Sequence, residues 1–319
     1  MYLQTRLHTA LVSVWLTSFA ATADAQQADA TFERSFEVDG RIGLDVETGS
    51  GSVTVREGAG DTARVAGRLV IHDRAGLFSF WRRGSRLTDD EAQELIRQFE
   101  QDPPVELSGS RLRVGHIDEE WRHGMSVSYE IEVPSTTDVR SQTGSGRMEI
   151  DGIEGRIVAR TGSGGVTLRD VVGDVEAHSG SGSIRAAALA GGFEGRAGSG
   201  SIEVDLVTAG DVVVSTGSGR IRVAGLDGAL NARAGSGSIT IDGQPADDWE
   251  LSTGSGTIRL RLPPEAAFSL DARTGSGGIS SGHPLTVQGT IERNRLRGEA
   301  GGGGPLITAR AGSGGIRIE

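Results

Sequence analysis

The sequence predicts an all-β chain: a parallel β-solenoid (β-helix) with two short strands per coil of 18 to 19 residues, plus an N-terminal cap region containing one helix. Three observations carry this. The tripeptide Gly-Ser-Gly occurs ten times, and from Gly144 its first glycines are spaced by 18, 18, 18, 19, 18, 19, 21 and 37 residues. Apolar and polar residues alternate on both sides of each triad, the period of a strand with one buried face. Fifty glycines are present without the every-third-residue rule of collagen.

Within a coil, the fourth position after the first glycine holds Val166, Ile184, Ile202, Ile221, Ile239 and Ile258 in successive copies. The fifth position before it holds Ile157, Val175, Phe193, Val212, Leu230 and Trp249, and the third before it is usually alanine. Small side chains on one wall therefore face bulky ones on the other, which predicts a thin interior. The triad reads as a sharp turn whose glycines supply backbone angles closed to other residues. Its serines are expected to form a structural ladder of hydroxyls rather than to act as nucleophiles, since no base recurs beside them. The 37-residue interval reads as two periods, one coil having lost its signature, and about ten coils at about 4.8 Å predict a rod body about 50 Å long.

Residues 1–25 read as an export signal: Arg6 precedes the apolar run Ala10 to Ala21, and Ala23-Asp24-Ala25 has the small-x-small form of a cleavage site. No later segment has the length and apolarity of a membrane span, so no transmembrane anchor is expected. With no cysteine there is no disulfide framework, and the expected location is the periplasm or the cell exterior. Residues 26–138 are expected to hold the first coil and the cap. Thr62 to His72 and Ser126 to Val133 alternate as strands, and a helix is expected over about 88–102, with Thr88 as N-cap, Glu91 completing a capping box and Pro103-Pro104 as stop. Residues 139–319 form the repetitive solenoid.

The formal net charge of −11 argues against a nucleic-acid partner. All 32 basic residues are arginine, which removes lysine chemistry and suits ion pairing through a planar fork. Arg160, Arg196, Arg233, Arg273 and Arg310 stand two before the triad, with His178, Ser215 and Ser252 between. Arginine on alternate coils spaces like charges at about 10 Å. The row is either a solvated, charge-balanced face, with Glu194 and Asp271 as partners for Arg196 and Arg273, or a set of forks for the carboxylates or sulfates of an acidic polysaccharide. Trp81, Arg82, Arg83 and Trp121 either pack the cap helix or anchor a partner. His116, Asp118, Glu119, Glu120 and His123 make a weak metal motif, and no metal or cofactor is expected.

The repeated Thr-Gly-Ser-Gly-x-Ile pattern resembles bacterial proteins of the DUF4097 adhesin-like family. Tyr129-Glu130-Ile131-Glu132-Val133-Pro134 leading into the solenoid and the final Arg-Ala-Gly-Ser-Gly-Gly-Ile add to the likeness, which covers roughly residues 36–319. It implies a β-solenoid on an exported or envelope protein, with no catalytic residue set to carry over. The expected function is thus non-enzymatic, adhesin-like binding of a polysaccharide or an envelope protein, or a structural role in the cell envelope. The rivals are a polysaccharide-active β-helix enzyme, for which Glu176, Glu194 and Glu250 are among the outward carboxylates, and a self-assembling or envelope-stress accessory protein. End-to-end association is expected to use Ile316-Arg317-Ile318 as an open edge.

Overall fold

The computed structural model describes residues 29–72, 89–116, 125–287 and 292–319. Residues 1–25, read above as an export signal, Thr88, Trp81, Arg82, Arg83 and Trp121 lie outside them, as do Asp118, Glu119, Glu120 and His123. Two sheets of thirteen strands run side by side. We call them the Ala sheet, made of the strands before each triad, and the Ile sheet, made of those after it. Eleven strands of each belong to coils and two to caps, so the described residues form eleven coils.

Neighbouring coils pair parallel and in register. On the Ile sheet, Ile184, Ile202, Ile221, Ile239 and Ile258 stack directly over one another, each at most 1% exposed. Burying each such side chain contributes about 1.5 to 3 kcal/mol. Facing them, Ala177, Ala232 and Ala272 are fully buried on the Ala sheet, so the interior is thin as the sequence implied.

The triad glycines are required for a different reason than backbone angle. None of them has a positive φ; at every one but Gly49, what excludes a side chain is the backbone of the neighbouring coil. A Cβ on Gly164 would sit 1.7 Å from the carbonyl oxygen of Gly146, and one on Gly162 2.5 Å from that of Gly144. The serine ladder is likewise replaced by another. Ser163, Ser181, Ser236 and Ser255 are exposed, and it is their backbone N–H groups that bond to the preceding turn. The buried hydroxyl belongs to the residue just before the triad: Thr253 Oγ1 accepts from Gly256 N–H at 3.0 Å and donates to Gly237 C=O at 2.8 Å. Thr143, Thr216 and Thr274 do the same. The threonine is favoured because its hydroxyl satisfies two buried backbone groups across a coil boundary. Thr253→Val keeps the volume but orphans both, and is expected to lower the unfolding free energy by about 1 to 3 kcal/mol in urea denaturation.

Both ends of the rod are closed by chain that does not follow sequence order. At the N-terminal end, Ile42–Thr48 and Val53–Glu57 stack directly against Thr137–Thr143 and Met148–Asp151. The triads at Gly49 and Gly144, 95 residues apart in sequence, are therefore adjacent turns. The chain between them adds one further coil, Arg111–Val114 with Met125–Val133, and two antiparallel covers. Thr62–Ile71 extends the Ile sheet, where Ala30–Glu37, from before Gly49, pairs on its outer side, while Val105–Ser108 closes the Ala sheet. The helix is present as Asp89–Gln101. Ala92, Leu95 and Phe99, at helical spacing, are buried, with Phe99 edge-on to Phe32 at 5.0 Å between ring centres. The Arg34 guanidinium donates to the terminal carbonyls of Glu100 and Gln101, a helix C-cap supplied by the end strand.

At the other end the order is again broken. Leu306–Ala311 lies between Trp249–Thr253 and Phe268–Thr274, and Ile316–Ile318 lies between Ile258–Arg261 and Ile279–Ser281. The 37-residue interval therefore hides no missing coil. It contains Arg295–Ala300, which returns antiparallel to Phe268–Thr274 and covers the Ala sheet. Gly301, Gly302 and Gly303, with φ of 62, 89 and 87°, then turn the chain back into the rod. Ile316–Ile318 is paired on both sides and offers no open edge, so end-to-end association through that strand is ruled out in this arrangement.

Candidate ligand-binding face

The outer face of the Ala sheet is ordered by the same register. Each strand presents outward the sixth, fourth and second positions before its triad. The second-position column reads, along the rod, Arg160, His178, Arg196, Ser215, Arg233, Ser252, Arg310 and Arg273. All five candidate arginines therefore share one exposed face. Because the coil 306–318 is threaded inward, Arg310 precedes Arg273, and alternation ends there: the two are direct neighbours.

The fourth-position column supplies partners. Arg160 meets Glu176 at 2.6 Å, Arg196 pairs with Glu194, and Arg233 reaches Glu250 at 3.1 Å. Asp271 accepts from Arg273 at 3.2 Å and from Arg297 at 2.7 Å. The Arg160 hydrogen bond holds the Glu176 carboxyl below its usual range, and the Arg297 hydrogen bond, followed by Arg273, does the same for Asp271. Burial lowers His178, against the pull of Glu176. Exposed pairs of this kind contribute about 0 to 1 kcal/mol each, so the ladder orders the face more than it stabilises the fold.

The sixth-position column is structural. Asp138, Asp174, Asp211 and Asp248 each accept a backbone N–H of the next coil, from Arg156, Gly192, Ala229 and Leu306 respectively. A shallow groove of about 540 Å³ runs over this column from Asp211 to Leu306. Its carboxylates are already engaged: Asp211 and Asp248 hold backbone, and Glu250 is shared by Asn231, Arg233 and Arg310. Val213 and Leu306 flank it, 45% and 43% exposed. Among the described residues no three His, Asp or Glu side chains are placed to hold a metal.

Arg295 and Arg297 were missed by sequence reasoning. They alternate with Asn294, Leu296 and Gly298, a strand signal in a segment that lacks the triad. Opposite register places Arg295 beside Arg273 and Arg297 beside Asp271.

These features define a capped, two-sheet parallel β-solenoid with flat charged faces. Residues 105–319 match DUF4097 (Toastrack), and the chain belongs to that family. Comparison with solved structures finds a candidate cell-adhesion protein from Clostridium sporogenes, 12% identical, with a TM-score of 0.22 over 90% of this chain and 97% of that one. It also finds a candidate adhesin from Bacteroides fragilis, 13% identical, with a TM-score of 0.39 over 92% and 98%. Comparison with curated protein sequences finds no match. No helix among the described residues is long and apolar enough to cross a membrane.

Proposed function

We propose that this protein is an exported, non-enzymatic, adhesin-like rod that binds a repeating envelope or surface polymer along the outer face of the Ala sheet. The observation that carries the reading is the in-register column of Arg160, Arg196, Arg233, Arg310 and Arg273 on a face whose coils are almost uniform in length. A flat, periodic surface matches a periodic polymer, each coil adding an equivalent contact. An enzyme on this scaffold needs a cleft with paired, free carboxylates. Here Glu176, Glu194 and Glu250 are each held by arginine. The leader-like residues 1–25 support export.

The test is binding of purified residues 26–319 to acidic and neutral polysaccharides and cell-wall fragments, with reducing-end release assayed in the same wells. Saturable binding without product is the expected result. Product release replaces the reading with an enzyme, and silence in both assays removes the polymer ligand.

A further inference from the structure

Three arginines stand side by side at the C-terminal end of the Ala sheet. Arg310, Arg273 and Arg295 occupy one register line across three adjacent strands, on the outer face. Adjacent strands lie about 4.8 Å apart, so the guanidinium stems are neighbours. Like charges directly opposite one another destabilise a sheet. Elsewhere in the column this is avoided, with Ser215 between Arg196 and Arg233, and Ser252 between Arg233 and Arg310.

Local carboxylates do not balance the cluster. Glu250 serves Arg233 and, at 3.7 Å, Arg310, while Asp271 serves Arg273 and Arg297. Among the described residues no carboxylate forms an ion pair with Arg295, and Glu292 and Glu299, at the ends of its strand region, form none either. Four guanidiniums therefore share two carboxylates and Arg295 pairs with neither, in a chain whose formal net charge is −11. Arg310 is 55% exposed and Arg273 44%, so donors on both are open to a ligand. Planar forks on neighbouring strands present parallel N–H groups to a single oxyanion, the arrangement that favours bidentate, charge-assisted hydrogen bonds.

We propose that Arg310, Arg273 and Arg295 form an anion site for a sulfate or phosphate monoester group. The group completes the charge balance that the threading of the final coil leaves open. This deepens the binding reading above by naming one subsite, but it needs no polymer: a single doubly charged oxyanion is enough. The overall negative charge repels long polyanions at a distance, and the cluster acts within about 10 Å in physiological salt.

The test uses residues 26–319, titrated calorimetrically at low ionic strength with inorganic sulfate, with inorganic phosphate and with dextran sulfate. Saturable binding of the inorganic ions is expected. Arg310→Ser, which copies the serine of the preceding coil, should weaken it about tenfold or more. Arg295→Ser, on the cap strand, should do the same. Arg185→Ser, on the Ile sheet and paired with Glu203 at 3.0 Å, should leave binding within about twofold. Without ligand, Arg310→Ser should melt no lower than the parent in low salt, because it removes like-charge repulsion. Dextran sulfate binding with the same variant dependence identifies a polymer-borne group. Its absence beside inorganic sulfate binding identifies a free ion and leaves this site standing even when the polymer reading fails. No saturable binding of either inorganic ion overturns the proposal, as does binding unaffected by both Arg310→Ser and Arg295→Ser.

Discussion

Gly237→Ala should lower the unfolding free energy by more than about 4 kcal/mol, or prevent soluble expression, although it adds only one methyl group, at a buried turn position. The added Cβ would stand 1.6 Å from the Gly219 carbonyl oxygen and 2.6 Å from its carbon. Both are backbone atoms of a turn that is hydrogen-bonded to its neighbours, so no side chain can swing aside. Gly217 N–H binds Gly198 C=O, and Ser236 N–H binds Gly217 C=O, so moving one turn moves the stack. Gly278→Ala is the control, because nothing lies within 4 Å of its Cβ position, and it should stay within about 0.5 kcal/mol of the parent. Equal melting temperatures for the two variants would show that glycine is not demanded by turn stacking.

Ending the chain after Pro305 should release the C-terminal end while leaving the middle of the rod folded. Without Leu306–Ala311 and Ile316–Ile318, the coils at 249–261 and 268–281 have no strand between them, and each shows a bare edge. Ile307, Ala309, Ile316 and Ile318, at most 1% exposed, are lost from the core. Coupling in a solenoid is to nearest neighbours. Hydrogen exchange is therefore expected to rise by orders of magnitude over Phe268–Ala300 and to change little before Val212. Uniform loss of protection along the rod would contradict a stack of locally coupled coils.

Much of the architecture is legible because it is local. A coil buries its apolar face with the same period each time, so the triad and the flanking alternation announce two strands and a turn. Leu95, Ile96 and Phe99 announce the helix in the same way. What the residues do not announce is which coil lies next to which. Parallel register is equally good for Ile316 on Ile258 or on Ile279, and the repeat is too regular to prefer one order. The choice is made by the cap, where Arg295–Ala300 and the three glycines with positive φ turn the chain back. Sequence order therefore spaced the arginines evenly, whereas the fold sets Arg310 against Arg273. The roles of serine and threonine in the turns were exchanged for a related reason. The triad serine repeats more strictly, but the preceding threonine is the one that points inward, which only the burial of the strand reveals.

The acid side of stability follows from the same ladder. Glu176 and Asp271 titrate below their unfolded values, so their contribution is present above the unfolded carboxyl range, near pH 4, and is lost as pH falls through the lowered folded values. Asp271→Asn, measured by thermal melting, should remove part of that acid-linked loss and leave stability above pH 7 slightly lower.

The order of the last coils is most directly tested by cross-linking, since the chain has no native cysteine. Ser252 and Arg310 are register partners on adjacent strands, whereas Ser252 and Arg273 are two strands apart, about 9 to 10 Å. Disulfides need Cα atoms within about 7 Å. The doubly substituted Ser252→Cys, Arg310→Cys protein should therefore oxidise to an intramolecular disulfide in the folded state, detected by mass spectrometry, and Ser252→Cys, Arg273→Cys should not. Ready bridging of the second pair and not of the first would place the coils in sequence order and contradict the inward threading of residues 306–318.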